Sequence, residues 1–197
     1  MVNQKKIKSH FKKVDPVIHR IMEKLDFGQW WDRPKRDYFA ALCEDIIGQQ
    51  LSAKAADSIF ARFEKLFPKK QITPERLLKL KDQQIRDVGT SWAKVRSLKD
   101  LATQVKNKNI LLDQLDNLSD EATMKGLMKV KGVGPWTAEM FLIFTLKRED
   151  VFSFGDLGLN KAIKKLYGKR KVESIVKRWA PYRSFGSLAL WYSLDNV

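Results

Sequence analysis

A helix-forming run from Ser119 to Lys129 leads into Val130-Lys131-Gly132-Val133-Gly134-Pro135-Trp136, and an apolar run then continues to Leu146. No other stretch constrains the fold as much. Two glycines spaced by one apolar residue permit the positive φ and close backbone approach that a tight turn between helices demands. Pro135 suits the first position of the following helix, where no N–H is needed. The pattern predicts two helices joined by a hairpin turn, and it leaves two uses open. The turn is either an ordinary αα-hairpin or one whose unpaired helix-start amides hold an anion such as phosphate.

Helical spacing dominates the remainder of the chain. Residues 1–13 are basic and are expected to fray at their start. Asp15-Pro16 is a cap and first-turn pair, after which Val17, Ile18, Ile21, Met22 and Leu25 share one face up to Gly28. Trp30-Trp31-Asp32-Arg33-Pro34 reads as a connector. A helix from Asp37 to Ile47 is interrupted by Gly48-Gln49-Gln50-Leu51, and Ser52 caps a longer helix that Pro68 stops. Short helices start at Thr73-Pro74 and at Asp82, and Ser91 caps another from Trp92 to Lys106. Asp150 to Asp156 is a non-helical crossing, followed by helices from Leu157 to Tyr167, Val172 to Trp179 and Phe185 to Leu194. No period-2 segment is bounded by turns, so the chain is expected to be all-α, with about ten short helices.

With 38 Lys and Arg against 23 Asp and Glu, the net charge of +15 points to a polyanionic partner. A membrane is disfavoured, because no helix pairs a fully basic face with a fully apolar one and no apolar run is long enough to span a bilayer. Cys43 is the only cysteine, which excludes an intrachain disulfide, a Cys-ligated iron–sulfur cluster and a Cys-based zinc site. It lies in an apolar run and reads as a small core residue. His10 and His19 form no cluster with other ligands, so a Ser-His-Asp or Cys-His site is not supported. Asp156, between Gly155 and a helix start, is either a simple N-cap or a carboxylate presented to a cleft.

Four ordered motifs narrow these alternatives. Gly48-Gln49-Gln50-Leu51-Ser52, then Val130 to Ala138, then Val151-Phe152 with Asp156, then Trp179, Pro181, Arg183-Ser184 and Trp191-Tyr192 resemble the helix–hairpin–helix DNA glycosylase superfamily. Within it the chain is similar to the 3-methyladenine DNA glycosylase II branch, from about Tyr38 to the C-terminus. The resemblance implies two helical lobes with an active-site cleft between them. One lobe, residues 35–149, would carry the hairpin motif, and residues 1–34 with 150–197 would form the other. It further implies hydrolysis of the N-glycosidic bond of an alkylated purine (3-methyladenine or 7-methylguanine type) flipped out of duplex DNA.

By motif position, Asp156 would be the catalytic carboxylate, stabilising charge on the sugar and positioning water. Trp136, Met140 and Trp191 would line the base pocket, where aromatic faces attract a cationic base. Gln50 would wedge into the gap left by the flipped nucleotide, and the Gly132, Val133 and Gly134 amides would hold a phosphate. Met128, Val130 and Val133 carbonyls would bind a structural monovalent or similar hard cation, and no cofactor is required for catalysis. Bifunctional members carry a lysine where this chain has Trp136, so the resemblance implies a monofunctional enzyme. Gly155 and Phe154 depart from the pattern, which commonly has Asp and Pro there. Two rivals remain open: a bifunctional glycosylase/lyase for oxidised bases, and a hairpin module that only binds DNA. The expected partner is double-stranded DNA containing damaged bases. The protein is expected to be a monomer, cytoplasmic and nucleoid-associated in a prokaryote or nuclear in a eukaryote.

Overall fold

The computed structural model describes residues 2–32 and 37–196, with side chains to Leu194. Among them are thirteen α-helices and no strand. The first seven are α1 (Gln4–Val14), α2 (Pro16–Met22), α3 (Gly28–Trp31), α4 (Tyr38–Gly48), α5 (Ala53–Glu64), α6 (Pro74–Lys79) and α7 (Asp82–Asp87). They are followed by α8 (Trp92–Lys106), α9 (Asp120–Leu127), α10 (Pro135–Phe144), α11 (Leu157–Tyr167), α12 (Val172–Lys177) and α13 (Arg183–Asn196). None is long and apolar enough to cross a membrane.

The chain divides into two compact units. One is formed by both chain ends, Met1–Lys35 with Leu142–Val197, and the other is Arg36–Phe141. In the continuous unit, α4 packs on α5 and α8, and α6 packs on α8. Five of its helices start where short polar side chains take over unpaired amides. Asp37 accepts from Ala40 N–H, Ser52 from Ala55, Thr73 from Arg76, Ser91 from Lys94 and Ser119 from Ala122. Each such cap stabilises its helix by about 1 kcal/mol. Cys43 is fully buried on α4, as its apolar surroundings in sequence predict.

In the other unit, α13 packs on α11 and α2, and α1 on α2. Phe11, Phe27, Trp179 and Phe185 are fully buried there, with Phe11 tilted against Trp179 at 6.0 Å and Phe27 edge-on to Phe185 at 5.2 Å. Gly186 makes room for this core, since a Cβ there would collide with the Trp179 ring. Trp179 sits beside a cis Ala180–Pro181 bond.

Three features differ from the sequence expectation. Residues 4–14, expected to fray at their start and given no helix bounds, form α1 throughout, anchored by buried Ile7 and Phe11. Trp30 and Trp31 end a one-turn helix rather than a bare connector, and Trp31 packs 4.4 Å from Phe185; Arg33 and Pro34 lie outside the described residues. Residues 142–149, expected with the hairpin, group instead with the chain ends. Leu142 and Ile143 are fully buried, and Arg148 and Glu149 offer carbonyls to Ser184.

Candidate functional site

The hairpin lies between α9 and α10, in the turn 128–134. Gly132 has φ +80, and a Cβ there would collide with Ser97 Oγ, so both the left-handed backbone and the close approach of α8 require glycine. One turn further along α8, Asp100 accepts the Lys131 N–H at 2.8 Å. The Val133 N–H donates to Val130 C=O at 3.0 Å. The Val133 amide thus has a partner inside the turn, which the structure does not show for the Gly132 and Gly134 amides. A Cβ at Gly134 would meet nothing within 4 Å, which leaves the start of α10 sterically open. Lys131 and Trp136 are exposed, Trp136 at 43%, while Met140 is buried on the same helix.

Gln50 stands in the turn that follows α4, with φ 57 and an exposed side chain. The Leu51 N–H closes that turn onto Gly48 C=O at 3.1 Å. A left-handed backbone is costly for a residue with a Cβ, so something else must hold it. Gln49 Nε2 donates to the Gly132 carbonyl at 2.9 Å and to Thr137 Oγ1 at 3.0 Å, tying the turn to both sides of the hairpin. Lys94 Nζ donates to the carbonyls of Ile47 (2.8 Å) and Gln49 (2.7 Å), where α4 runs out of internal donors. Burial pulls the Lys94 ammonium below the ordinary lysine value. Gln49, Lys94, Ser97 and Asp100 were not assigned a role from sequence. Gln49 alone carried a signal, as the neighbour of Gln50 in the same motif.

In the other unit, Asp156 is the N-cap of α11. Its Oδ1 accepts from Leu159 N–H at 2.7 Å and from the Trp191 indole Nε1–H at 3.3 Å, and the residue is 7% exposed. Trp191 in turn lies 5.6 Å from Phe144, their rings inclined by 33°. Gly158 flanks this pair: a Cβ there would sit 3.1 Å from Asp156 Oδ1 and 3.5 Å from Trp191 Cδ1. The crossing that delivers Asp156 is strapped to the start of α13. Arg183 makes a two-pronged pair with Asp150, both N–O distances 2.8 Å, and the Arg183 N–H also donates to Asp150. Ser184 Oγ donates to Arg148 C=O at 2.6 Å and accepts the Val151 N–H at 3.0 Å. At the far end of the crossing, the Asn160 amide donates to the carbonyls of Phe154 and Asp156. The Arg183-Ser184 motif is thus a support for the crossing. Phe154 is half exposed and touches Phe152 edge-on at 5.0 Å.

Asp156 and Trp191 are therefore brought into contact, and Gln50 is held to the hairpin through Gln49. Trp136 and Met140 belong to the continuous unit. Among the described residues, no group of three or more His, Cys, Asp and Glu could hold a metal ion.

Comparison with known proteins bears on this arrangement. The family model described as HhH-GPD superfamily base excision DNA repair protein matches residues 43–181. DNA-3-methyladenine glycosylase 1 of Schizosaccharomyces pombe is 32% identical over 163 residues, taking in 80% of this chain and 72% of that one. The Saccharomyces cerevisiae DNA-3-methyladenine glycosylase is 36% identical over 185 residues, 86% of this chain and 62% of the other. A Bacillus subtilis relative, 33% identical, is matched over only 56% of its length, so the chain spans between about half and three-quarters of these curated relatives. Among solved structures, the S. pombe 3-methyladenine DNA glycosylase in complex with abasic DNA superposes with a TM-score of 0.84 at 29% identity, covering 96% of this chain and 97% of that one. With a family match spanning more than half of its length, the chain belongs to the HhH-GPD superfamily of base excision DNA repair proteins.

Proposed function

We propose that this protein is a monofunctional DNA glycosylase that removes alkylated purines, of the 3-methyladenine and 7-methylguanine type, from duplex DNA. The observation that carries the reading is Asp156. It is a nearly buried carboxylate that caps a helix and also receives the indole N–H of a tryptophan 35 residues away. In the relatives and the solved complex, the names refer to 3-methyladenine and to abasic DNA, and the same chemistry suits this carboxylate.

A purine alkylated at a ring nitrogen is already cationic, so the C1′–N bond can break with its electron pair leaving on a neutral base. No strong general acid is needed. Positive charge then develops on the sugar, and the Asp156 carboxylate stabilises it electrostatically. Water adds to C1′ and gives up a proton to Asp156 or to solvent. Trp191, oriented by Asp156 and backed by Phe144, offers a ring face to the cationic base, a contact type contributing roughly 0.5–2 kcal/mol. Trp136 and Met140 are assigned to base recognition by motif position. Trp136 also occupies the position of the lysine nucleophile in bifunctional members, and having no amine it forms no Schiff base, which supports hydrolysis without strand cleavage.

Gln50 is proposed to fill the gap left by the extruded nucleotide, and the Gly132 and Gly134 amides to hold a backbone phosphate. A hard cation would be held by the Met128, Val130 and Val133 carbonyls. The Val130 oxygen already accepts one hydrogen bond and keeps a second lone pair for it. Its role would be to bridge hairpin and phosphate. The protein is proposed to act as a monomer wherever the genome lies, in a prokaryotic cytoplasm or a eukaryotic nucleus.

The test is base release from methylated duplex DNA. Asp156→Asn is expected to lower the single-turnover rate by at least about a hundredfold while leaving duplex affinity within a few-fold, as for removal of a charge-stabilising group. An Asn variant that excises at the wild-type rate overturns the assignment. Borohydride trapping of an enzyme–DNA adduct would overturn the monofunctional part alone.

A further inference from the structure

The hairpin is in the continuous unit, yet the positive charge is not concentrated there. The unit formed by the chain ends carries 20 Lys and Arg against 9 Asp and Glu, a surplus of 11 in a chain whose whole surplus is 15. That charge is ordered by the helices that bear it. On α1, Lys5, Lys12 and Lys13 are exposed opposite buried Ile7 and Phe11. On α11, Lys161, Lys164 and Lys165 are exposed opposite buried Leu159, Ala162 and Ile163. The turn after α11 adds exposed Lys169-Arg170-Lys171, and between residues 158 and 178 the only acidic residue is Glu173.

These segments meet within the unit. The Arg178 guanidinium at the end of α12 donates to the Val14 carbonyl at the end of α1 and to Asp15, which also accepts the Trp179 indole N–H at 2.8 Å. Tyr167, the last residue of α11, is pushed above its ordinary value by burial and by Asp15, and lies close enough to Arg170 and Arg178 to feel their charges. Asp15 is 1% exposed and committed to these donors and to the start of α2, so it sits beneath the basic surface.

Crowding like charges works against the compact state by self-repulsion. The apolar faces of α1 and α11 do not require it, since any polar residue would serve on their outer sides. The chemistry of the face also says what it fits. It is mainly lysine, a point charge that neutralises phosphate without the planar, two-pronged recognition of arginine. No large exposed aromatic side chain lies on α1, on α11 or in the turn after it, where the one large exposed apolar residue is Leu157 at the start of α11, so there is no stacking platform for unpaired bases. We propose that the unit formed by the chain ends carries a second duplex-DNA-binding face, made of the lysine-covered sides of α1 and α11 and the Lys169–Lys171 turn. It holds phosphates without reading sequence and supplies much of the non-specific affinity with which such an enzyme dwells on undamaged DNA. The choice of DNA among polyanions rests on the glycosylase reading above.

The test is the salt dependence of binding to an undamaged duplex. Each phosphate contact contributes about 0.9 to the slope of log affinity against log salt. A variant combining Lys12→Gln, Lys13→Gln, Lys164→Gln, Lys169→Gln and Lys171→Gln should lose about 3 or more from that slope. A control combining Lys65→Gln, Lys69→Gln, Lys79→Gln, Lys81→Gln and Lys108→Gln in the other unit should lose less than about 1. The first variant should also keep the wild-type single-turnover rate of base release at saturating enzyme. An unchanged slope overturns the proposal, as does an equal loss in the control or a loss seen with heparin and not with duplex DNA. If the wild-type protein releases no base while the slope difference persists, the glycosylase reading falls and this DNA-binding face stands.

Discussion

At the scale of single residues, Asp156 is the N-cap that its sequence context allowed, and its other reading, a carboxylate that acts on substrate, is the one proposed above. The cap was legible because it is local: an aspartate before a helix start accepts a nearby amide, here Leu159 N–H. A cap alone, however, has no need of an indole donor from α13. The Trp191 contact depends on how α11 and α13 pack, and no spacing rule reports that. Gly158 was equally silent in sequence, since its neighbours become Asp156 Oδ1 and Trp191 only after folding. This makes Gly158→Ala an informative variant. In a helix alanine is preferred over glycine by up to about 1 kcal/mol, which offsets the closer contacts at this half-buried position, so stability should hold. Its Cβ, 3.1 Å from Oδ1, would press the carboxylate aside by a few tenths of an ångström. Since misplacement by about 1 Å costs on the order of a hundredfold, base release should fall by about an order of magnitude at unchanged thermal stability. A variant as active as the parent would mean that the carboxylate position is not critical.

At the scale of elements, the hairpin was foreseeable and its supports were not. Two glycines and a proline announce a turn from their own conformational preferences. That α8 backs the turn, with Ser97 against Gly132 and Asp100 on the Lys131 amide, depends on residues some thirty positions earlier whose pattern says only "helix". The arrangement separates the two reasons for glycine at 132. In the parent, Gly132→Ala meets both the left-handed φ and the collision with Ser97 Oγ, and should destabilise by about 2–3 kcal/mol. In a Ser97→Ala background the Oγ is gone and the next nearest atom, the residue 97 Cβ, is 3.5 Å away, an ordinary contact. Only the backbone cost of about 1 kcal/mol should then remain. A double-mutant cycle by urea denaturation should therefore give a coupling of about 1 kcal/mol or more. Simple additivity would show that Ser97 does not set the geometry of the turn. Duplex affinity should track the same cycle, because the amides proposed to hold a phosphate belong to this turn.

At the scale of the whole molecule, the unit that carries Asp156 is closed by the beginning of the chain. The all-helical class was legible because every segment has helical period and none alternates. The first helix was left without bounds for a physical reason: α1 is strongly basic and locally featureless, and what orders it is a core contributed by residues more than 160 positions away. Ile7 and Phe11, one turn apart, were the signal, and Trp179 is the distant partner that makes them matter. Phe11 is fully buried, beside Trp179 at 6.0 Å and with the His10 ring edge-on at 5.4 Å, so truncation leaves a cavity that neither helix can close. Phe11→Ala should destabilise by about 3–5 kcal/mol. For a chain of this length each kcal/mol lowers Tm by roughly 2–4 °C, so the transition should move down by about 10 °C. Phe11 touches neither Asp156 nor Trp191 in the contacts that hold them, so well below the transition the rate of base release per folded molecule should be unchanged. Activity should then fail at a temperature lowered in step with Tm. If Phe11→Ala leaves Tm where it was, α1 frays in solution as its charge alone suggests, and the unit is held together without it.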